Sequence, residues 1–548
     1  MASNQSPPLE DVNLLSSHRA LLEALRREGA AWAEERVLEL AALAGRRETI
    51  AWGFQANANP PQLRSRDRTG RRIDEVEFHP AWHALLGLGV AHGLHALPWR
   101  EARAGAHVAR AAMFFTLAQV EAGVGCPLSM TYSAVPALAL APESAAEWLP
   151  RLTSTAYDPR PLPAREKTGA LCGMAMTEKQ GGSDVRANTT AARRLAGGGP
   201  GAEYELTGEK WFCSAPMSDL FLVLAQAPGG LSCFAVPRFT PDGECNGLYL
   251  QRLKDKLGNR SNASSELALD AAWGRLLGEE GRGVQTILEM VNHTRLDCCL
   301  GSAALMRQAV AQAIHHARHR RAFGRRLVEQ PLMLNVLADL AIESEAATVA
   351  AMRLARAYDE SPGAAALRRL ATPVLKYWIC KRAVQVVAEA LECLGGNGYV
   401  EEWGLARLYR ETPLNSIWEG SGNVQCLDVL RAIGRNPDSL GALLAEIVQA
   451  RGADRRFDAW VARLEHELAR PELPPDAEWR ARRLVEELAV ALQASLLLRH
   501  SPAAVADAFC ATRLGERGLT FGTLPPGSGL AAPAAIAAIV ERHDPAVG

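Results

Sequence analysis

The sequence predicts a mainly α-helical protein with an inserted β domain, on three observations. Segments rich in Ala, Leu and Glu, with apolar residues every three to four positions, occupy about residues 21–145 and return after residue 283. Between residues 171 and 276, short β-prone runs alternate with turn residues. A chain of 548 residues is too long for one core, so we predict four domains: 1–170 (helical), 171–276 (β), 277–436 (helical bundle) and 437–548 (additional helical).

The composition is that of a globular protein without a strong net charge. Hydrophobic residues make up 48%, and 60 basic residues balance 61 acidic ones, so no global field attracts nucleic acid or membrane. The first 17 residues lack the regions of a signal peptide, and no apolar run approaches the roughly 20 residues of a membrane span. The eleven cysteines are scattered without zinc spacing. We therefore expect a cytoplasmic protein with reduced thiols and no metal site.

Each region shows the pattern of its predicted elements. In the β region, Pro228-Gly229-Gly230 separates two apolar runs as a hairpin turn does. Four long periodic segments between residues 283 and 435 predict an antiparallel bundle, and Gly395-Gly396 supplies the left-handed residue that ends a helix. In the N-terminal region, one helical face carries the apolar residues Val108, Ala111, Ala112, Phe115 and Ala118.

Several common catalytic motifs are missing from the sequence. It contains no GxxxxGK[ST] phosphate loop, no HExxH and no GxSxG nucleophile elbow. GSGLAA at 527–532 imitates a dinucleotide fingerprint, but it follows Pro525-Pro526 rather than a strand. Nicotinamide-dependent hydride transfer on a dinucleotide-binding fold is therefore not predicted.

Three short segments place polar, basic and aromatic side chains together. MTEKQGGSD (176–184) offers hydroxyls and exposed backbone N–H groups, although a plain Gly-Gly turn would explain it too. GEKWFCSAP puts Trp211 beside small polar residues, where ordinary core packing is the alternative. ARHRRAFGRR ends a helix with basic residues, which the helix dipole would favour even without a ligand.

In this order over residues 100–435, the segments resemble the signature segments of the acyl-CoA dehydrogenase family. MTEKQGGSD is similar to TEP.AGSD, GEKWFCSAP to G.K.WITN, RRAFGRRL to R..FG, LECLGGNGY to Q..GG.GY, and SIWEGSGNVQ to IYEGT.Q.Q. MTEKQGGSDVRANTT, LKDKLGNRSNASSE, TRLDCCLGS and NSIWEGSGN, with the long C-terminal extension, resemble the AidB branch. That branch comprises bacterial proteins of the adaptive response to alkylating agents.

The resemblance implies an N-terminal helical domain, a middle β-barrel domain and a C-terminal four-helix bundle, here followed by a helical extension. It further implies FAD between the β domain and the bundle, shared across a dimer interface in a homotetramer (a dimer of dimers). By position, the residues expected to hold FAD are Met176, Thr177, Gly182, Ser183, Trp211, Ser214, Arg320, Phe323, Gly395, Gly396, Gly398, Ser421 and Asn423.

Two further points about the FAD contacts stay open at the level of sequence. Spacing does not decide whether Cys213 or Ser214 takes the place of the family threonine beside the flavin. Glu392 stands where many relatives have Gln, and a carboxylate facing a pyrophosphate is unfavourable.

Glu419 in SIWEGSGN occupies the position of the family base, which takes the α-proton of an acyl thioester. A carboxylate screened from water has a raised pKa that suits this transfer near neutral pH. Trp418 stands where many relatives have a smaller aromatic residue. Arg431 would lower the pKa of the base if it reached Glu419, and a surface or interface ion pair is its alternative role. In the AidB branch both residues are associated with a narrowed acyl pocket, so weak activity on acyl-CoA substrates is expected.

The sequence leaves three functions in competition. The first is an AidB-type flavoprotein that responds to DNA alkylation, and the second is an ordinary acyl-CoA dehydrogenase of fatty-acid or branched-chain catabolism. A catalytically inactive scaffold is the third. Double-stranded DNA could bind a basic face of the extension, where Arg480, Arg482 and Arg483 could cluster, as could Arg513 and Arg517. However, residues 441–548 hold 12 basic and 14 acidic residues, so a solvated helix face would also explain these arginines.

Overall fold

The computed structural model describes residues 4–360, 363–469, 475–515, 518–525 and 533–547. They form two compact units, each assembled from separate stretches of chain. The bundle unit comprises residues 1–47, 103–120 and 298–548, and the β unit comprises residues 48–102 and 121–297. Within the described residues, no helix combines the length and hydropathy needed for a membrane span.

The N-terminal region is helical, as the sequence predicts, except for one hairpin. Its helices are α1 (Arg19–Leu25), α2 (Glu34–Ala44), α3 (Arg47–Ala58), α4 (Pro80–Ala91), α5 (Leu97–Arg100), α6 (Ala106–Ala118), α7 (Gly125–Leu138) and α8 (Pro142–Leu152). Between α3 and α4, strands β1 (Gln62–Arg66) and β2 (Arg72–Glu77) pair antiparallel, with Leu63 opposite Val76. The sequence did not predict this hairpin, because its strands are charged and show little apolar alternation. Leu63 and Val76 pack on the core of the β region, which supplies the missing apolar contact.

Helix α6 is buried more completely than its sequence pattern predicts. The five apolar positions predicted to share one face are all buried, but so is every residue from Val108 to Ala118, including Arg110. The helix packs against α2, and against a long helix of the bundle described below. Periodicity therefore identified the helix but not its environment on every side.

The β region is a mixed sheet that closes on itself. Its strands are β3 (Cys172–Ala175), β4 (Ala191–Ala196), β5 (Glu203–Ser214), β6 (Leu220–Ala227), β7 (Gly230–Pro237), β8 (Leu248–Leu253) and β9 (Ser264–Leu277). Strands β4, β5, β9, β7 and β6 pair in that order, and a single residue pair, Ala191 with Gln226, joins β4 back to β6. The hairpin predicted at Pro228-Gly229-Gly230 is confirmed, since β6 and β7 pair antiparallel across it.

The second helical region contains the predicted bundle and its extension. Its elements are α9 (Gly283–His319), β10 (Arg321–Ala322), β11 (Arg325–Arg326), α10 (Pro331–Asp359), α11 (Ala365–Cys393), α12 (Leu405–Glu411), α13 (Gly422–Arg435), α14 (Pro437–Ile447), α15 (Arg455–Leu468), α16 (Ala477–His500), α17 (Ala503–Phe509) and α18 (Pro533–Arg542). The fourth predicted bundle helix is divided into α12 and α13 by a loop. Helix α11 packs against α10, α13, α14 and α16, so the extension continues the bundle.

The second pair of arginines considered for DNA binding, Arg513 and Arg517, does not form an exposed basic face in the described residues. The Arg513 side chain is 14% exposed and forms ion pairs with Asp339 and Glu343, both at 2.8 Å, so it does not stand on an exposed basic face. Buried carboxylates of α10 draw this cation inward, which helical spacing cannot reveal. Arg517 and the GSGLAA segment lie outside the described residues.

A buried ion pair organises the β region beside the MTEKQGGSD segment. Lys210 Nζ donates to Glu178 Oε1 at 2.8 Å and to the carbonyl oxygen of Leu224 at 2.7 Å. Glu178 also accepts bonds from the backbone N–H groups of Thr189 and Thr190. Burial favours the neutral acid, but the bonds from Lys210 and the threonines outweigh it and lower the pKa of Glu178 to about 2.

We expect Lys210→Met to lower the free energy of unfolding by about 3–5 kcal/mol at pH 7, because it leaves the Glu178 carboxylate buried without its cation. The Glu178 pKa is depressed, so its contribution is complete above the ordinary carboxyl pKa and is lost as the pH falls towards 2. The difference between variant and wild type should therefore shrink between about pH 4.5 and pH 2, measured by urea unfolding.

Lys179→Met is the matched control, since Lys179 pairs with Glu209 at the surface. Its effect should stay below about 1 kcal/mol. Equal losses in the two variants would contradict a special role for the buried pair.

Candidate active site

The loop between α12 and α13 carries Glu419, the carboxylate that the sequence identifies as the candidate base. Glu419 adopts φ +58°, and Gly420 follows at φ +95°. The left-handed region costs a residue with a side chain about 1–3 kcal/mol, and such strain is concentrated at functional sites. Glu419 is half-buried. The surrounding structure must therefore hold this loop in a conformation that Glu419 alone would disfavour.

Two side chains from neighbouring helices hold the loop by its backbone. Lys376 of α11, only 1% exposed, donates from Nζ to the carbonyl oxygens of Trp418 at 2.7 Å and Gly420 at 2.6 Å. Gln425 of α13 donates from Nε2 to the carbonyl oxygens of Glu419 at 3.0 Å and Gly420 at 2.9 Å. Each carbonyl from residue 418 to 420 thus accepts a bond from a buried side chain. No local sequence pattern indicates either role: Lys376 lies more than 40 residues before the loop, and the bonds of Gln425 depend on how the loop turns back onto α13.

Of the two residues predicted to occlude the pocket, Trp418 lies in the Glu419 loop and Arg431 lies on the helix that follows it, α13. The half-buried indole of Trp418 donates from Nε1 to Asn415 Oδ1 at 3.0 Å, and Asn415 Nδ2 donates to Ser302 Oγ at 3.1 Å. The indole is therefore anchored next to Glu419. Arg431 is exposed on α13, nine residues after Gly422, or about 13 Å along the helix axis.

The first turn of α13 gathers polar and positive groups. Ser421 is the N-cap residue, and its side chain makes no capping bond. The exposed Asn423 accepts at Oδ1 a hydrogen bond of 2.9 Å from Nε of Arg482, which comes from α16. Burial, together with the nearby Arg482, lowers the pKa of Lys381. A helix N-terminus with cations beside it favours an anionic group.

The basic segment after α9 folds into the small hairpin of β10 and β11. Arg320 is half-buried before it, and Phe323 at its turn is 96% exposed with φ +51°. The N-terminal segment lies against this hairpin: Arg320 donates to the carbonyl oxygen of Asn4, and the N–H of Arg321 donates to Asn4 Oδ1 at 2.9 Å. The contact joins residues more than 300 positions apart, which no local sequence pattern indicates.

The glycine run after α11 has two different physical reasons. Gly395 adopts φ +61°, as predicted for the residue that ends a helix. A Cβ on Gly398 would come within 2.1 Å of the carbonyl oxygen of Leu391, so the backbone itself requires glycine there. A Cβ on Gly396 would meet no atom within 4 Å, which leaves open space above this part of the loop.

In the β unit, the MTEKQGGSD segment forms a loop with accessible hydroxyls. Thr177 is half-buried and Ser183 is exposed. The carbonyl oxygen of Thr177 accepts the N–H of Trp211 at 2.8 Å, and that of Met176 accepts the side chain of Asn188 at 2.9 Å. A Cβ on residue 182 would meet the Thr177 hydroxyl at 2.5 Å, so Gly182 permits this close approach.

Strand β5 resolves which of two neighbouring residues can face a ligand. Cys213 lies in the core, where burial raises the pKa of its thiol to about 12. Ser214 is half-buried with Oγ 3.2 Å from Ser264 Oγ, as expected from the alternation of side chains along a strand. Lys254 Nζ lies 3.4 Å from the centre of the Trp211 ring, a cation–π contact that no sequence motif indicates.

Comparisons with known proteins cover most of the chain. Residues 4–159 match the family model of the adaptive response protein AidB N-terminal domain. Residues 173–272 match the acyl-CoA dehydrogenase middle domain, and residues 281–434 match the acyl-CoA dehydrogenase C-terminal domain.

Individual relatives agree with these matches. AidB of Escherichia coli (strain K12) is 49% identical over 519 residues, 94% of each chain. The structure of Caenorhabditis elegans ACDH-11 in complex with C11-CoA is 27% identical, with a TM-score of 0.85 over 94% of each chain. An acyl-CoA dehydrogenase from Bacillus anthracis complexed with FAD shares the fold, at 20% identity and a TM-score of 0.62 over 79% of this chain and 80% of that one.

Proposed function

The chain belongs to the acyl-CoA dehydrogenase family and carries the N-terminal domain of its AidB members, and we propose that it is an FAD-dependent oxidoreductase whose base is Glu419. The substrate class is an acyl-CoA or a related thioester, taken up through a restricted pocket. In the family arrangement Arg320 and Phe323 contact the cofactor of a neighbouring subunit, which requires a dimer. The proposed assembly is the dimer of dimers that the resemblance implies, a homotetramer.

The observation that carries the proposal is the conformation of Glu419. It is the one carboxylate in the sequence from Thr412 to Ser421, and it has a left-handed backbone stabilised by hydrogen bonds from two other helices. Strained backbone of this kind is concentrated at functional sites, and here buried donors from Lys376 and Gln425 maintain it. The position in SIWEGSGN matches that of the family base.

The residues in the bundle unit fit one part of FAD. The pyrophosphate needs cationic and N–H donors, which Arg320 and the first turn of α13 provide. The open space above Gly396 would accept a group close to the backbone. The ring of Phe323, 96% exposed, offers an apolar face to an adenine. Glu392 is exposed, and its carboxylate remains the one unfavourable group implied by the resemblance.

The residues in the β unit fit the flavin. Thr177 and Ser183 offer hydroxyl donors, and the half-buried Trp211 offers an aromatic wall beside Ser214. Lys254 already covers the Trp211 ring from one side, so a flavin would use another part of the indole. When bound, FAD accepts the hydride that leaves the β-carbon of the acyl chain. Glu419 takes the α-proton, and the anchored Trp418 limits which acyl chains come within reach.

We expect Glu419→Gln to slow flavin reduction by acyl-CoA at least about 100-fold, because the amide cannot take the α-proton. The measurement is anaerobic bleaching of the purified yellow protein with a panel of C4-, C8- and C11-CoA. FAD content, read from the visible spectrum, should equal that of the wild type. Equal rates in variant and wild type would refute Glu419 as the base, and an absence of FAD in both would refute the flavoenzyme itself.

We expect Trp418→Tyr combined with Arg431→Ala to increase acyl-CoA turnover, on the order of tenfold, since the smaller ring at residue 418 enlarges the pocket and the second change removes the positive charge that Arg431 contributes on α13. Steady-state rates with the same acyl-CoA panel measure this. Trp418→Phe in the wild-type background separates the loss of the indole from the loss of the charge. Equally slow turnover in the double variant and the wild type would show that occlusion is the wrong account. Fast turnover by the wild type would instead favour an ordinary acyl-CoA dehydrogenase of fatty-acid or branched-chain catabolism.

The second candidate function is a role in the response to DNA alkylation with direct binding of duplex DNA. It is favoured by the N-terminal match to an adaptive response protein. The charges of α16 give it little support, since Arg480 pairs with Asp476 at 2.6 Å and Arg483 with Glu487 at 3.0 Å. Arg482 is exposed and bonds Asn423. The acidic partners would have to release these arginines before a phosphate could bind.

If α16 contacts DNA, replacing Arg480, Arg482 and Arg483 with Ala should weaken binding and reduce the slope of log K against log salt by about 2.7. Fluorescence anisotropy with a labelled duplex, from 50 to 300 mM salt, measures both quantities. Asp476→Ala is the useful control, because it frees Arg480 and should strengthen binding. An affinity insensitive to salt in the wild type would exclude phosphate contacts.

A further inference from the structure

We propose that Lys376 is a positioning residue that fixes the backbone of Glu419 and thereby orients the carboxylate that acts as the base. The inference rests on the proposed function of Glu419 and adds to it the group that maintains its geometry. Lys376 itself lies in α11, 43 residues earlier in the chain.

The contacts of Lys376 are directed at the two peptide groups that flank Glu419. Its ammonium can donate three hydrogen bonds, and two of them reach the carbonyl oxygens of Trp418 and Gly420 at 2.7 and 2.6 Å. These two oxygens converge on one nitrogen only if the chain turns tightly at residue 419. The left-handed conformation of Glu419, φ +58°, supplies that turn.

Gln425 completes the arrangement from the opposite end of the loop. Its amide donates to the carbonyl oxygens of Glu419 and Gly420, so three successive carbonyls are bonded to two side chains. Both side chains are buried, at 1% exposure for Lys376 and 0% for Gln425. Because water is excluded, relaxation of Glu419 to a right-handed conformation would leave buried carbonyls or donors unsatisfied.

The charge of Lys376 suits this role better than a neutral side chain would. A buried ammonium is unfavourable unless it is well bonded, and carbonyl oxygens that point at it become strong acceptors. A role in general packing of α11 would not require both short bonds to end on the loop that holds Glu419. The two roles therefore predict different results when the bonds are removed. A positioning role predicts that Glu419 loses its backbone conformation and its activity as a base, whereas a packing role predicts only a loss of stability.

The primary test compares Lys376→Met with Leu375→Ala. Leu375 is the preceding residue on α11, also 1% exposed, and its truncation destabilises the core while keeping the ammonium that bonds the loop. The readout is exchange of the α-protons of C8-CoA in D2O, followed by mass spectrometry. In that reaction the base removes a proton and returns a deuteron, with no net oxidation.

We expect Lys376→Met to slow this exchange about 100-fold at unchanged affinity for C8-CoA, since a displacement near 1 Å costs about that factor. Lys376→Arg should recover part of the rate, and Leu375→Ala should retain it within about threefold. FAD content should be equal in all variants. Exchange by Lys376→Met at the Leu375→Ala rate would overturn the proposal.

A second readout is independent of the reaction: the crystal structure of Lys376→Met. Loss of the left-handed conformation at residue 419 supports the proposal, and an unchanged φ overturns it. If Lys376→Met does not fold, Gln425→Leu replaces it, with the same expectations for exchange and backbone. Glu419→Gln separates the two levels of inference. Wild-type exchange in Glu419→Gln would refute the proposed base, whereas its loss together with normal exchange in Lys376→Met would refute only the positioning role.

Discussion

The candidate active site depends on how the protein satisfies one buried ammonium. Lys376 is placed in the middle of α11, the helix that packs against α10, α13, α14 and α16. At that position water cannot solvate the charge, so acceptors must come from the protein. The loop between α12 and α13 supplies them as the carbonyl oxygens of Trp418 and Gly420, and Glu419 takes a strained conformation as a consequence. The carbonyl oxygens that solvate the Lys376 ammonium are thus the ones that fix the backbone conformation of the proposed base.

The same requirement explains why the helical extension belongs to the bundle. Glu343 of α10 is fully buried and holds both Arg382 of α11 and Arg513 near the end of α17. Burial favours its neutral form, but the two guanidinium groups outweigh this and lower the pKa of Glu343 to about 2. Arg353 and Arg499 enclose Glu446 in a similar way. Some arginines of the extension therefore form ion pairs that join helices and are not available to nucleic acid. For this reason the number of basic residues in the extension does not give the charge of its exposed surface.

In the β unit, a buried charge that needs partners also fixes a loop, the MTEKQGGSD segment proposed to bind the cofactor. Glu178 stands inside the MTEKQGGSD segment but points into the protein, where Lys210 and the N–H groups of Thr189 and Thr190 bind it. The loop is therefore anchored by its charged residue, while the hydroxyls of Thr177 and Ser183 stay accessible. Neighbouring residues of this segment thus have different roles: Glu178 anchors the loop to the β region, and Thr177 and Ser183 present their hydroxyls to a ligand.

The sequence by itself determined the class of fold, the order of the helical and β regions, the hairpin at Pro228 and the helix end at Gly395, because these follow from local periodicity and turn chemistry. Through the order of its motifs it also identified the family and located Glu419. Only the tertiary structure decided that Ser214 rather than Cys213 faces outward, that Arg513 pairs with the buried carboxylates of α10, and that β1 and β2 form a hairpin. It alone showed that the side chains of Lys376 and Gln425 donate hydrogen bonds to the backbone of the Glu419 loop. The contacts of Lys376 and Arg513 join segments that are distant in the sequence, and the other cases depend on which side of an element meets the core; neither kind of information leaves a periodic signal in the chain.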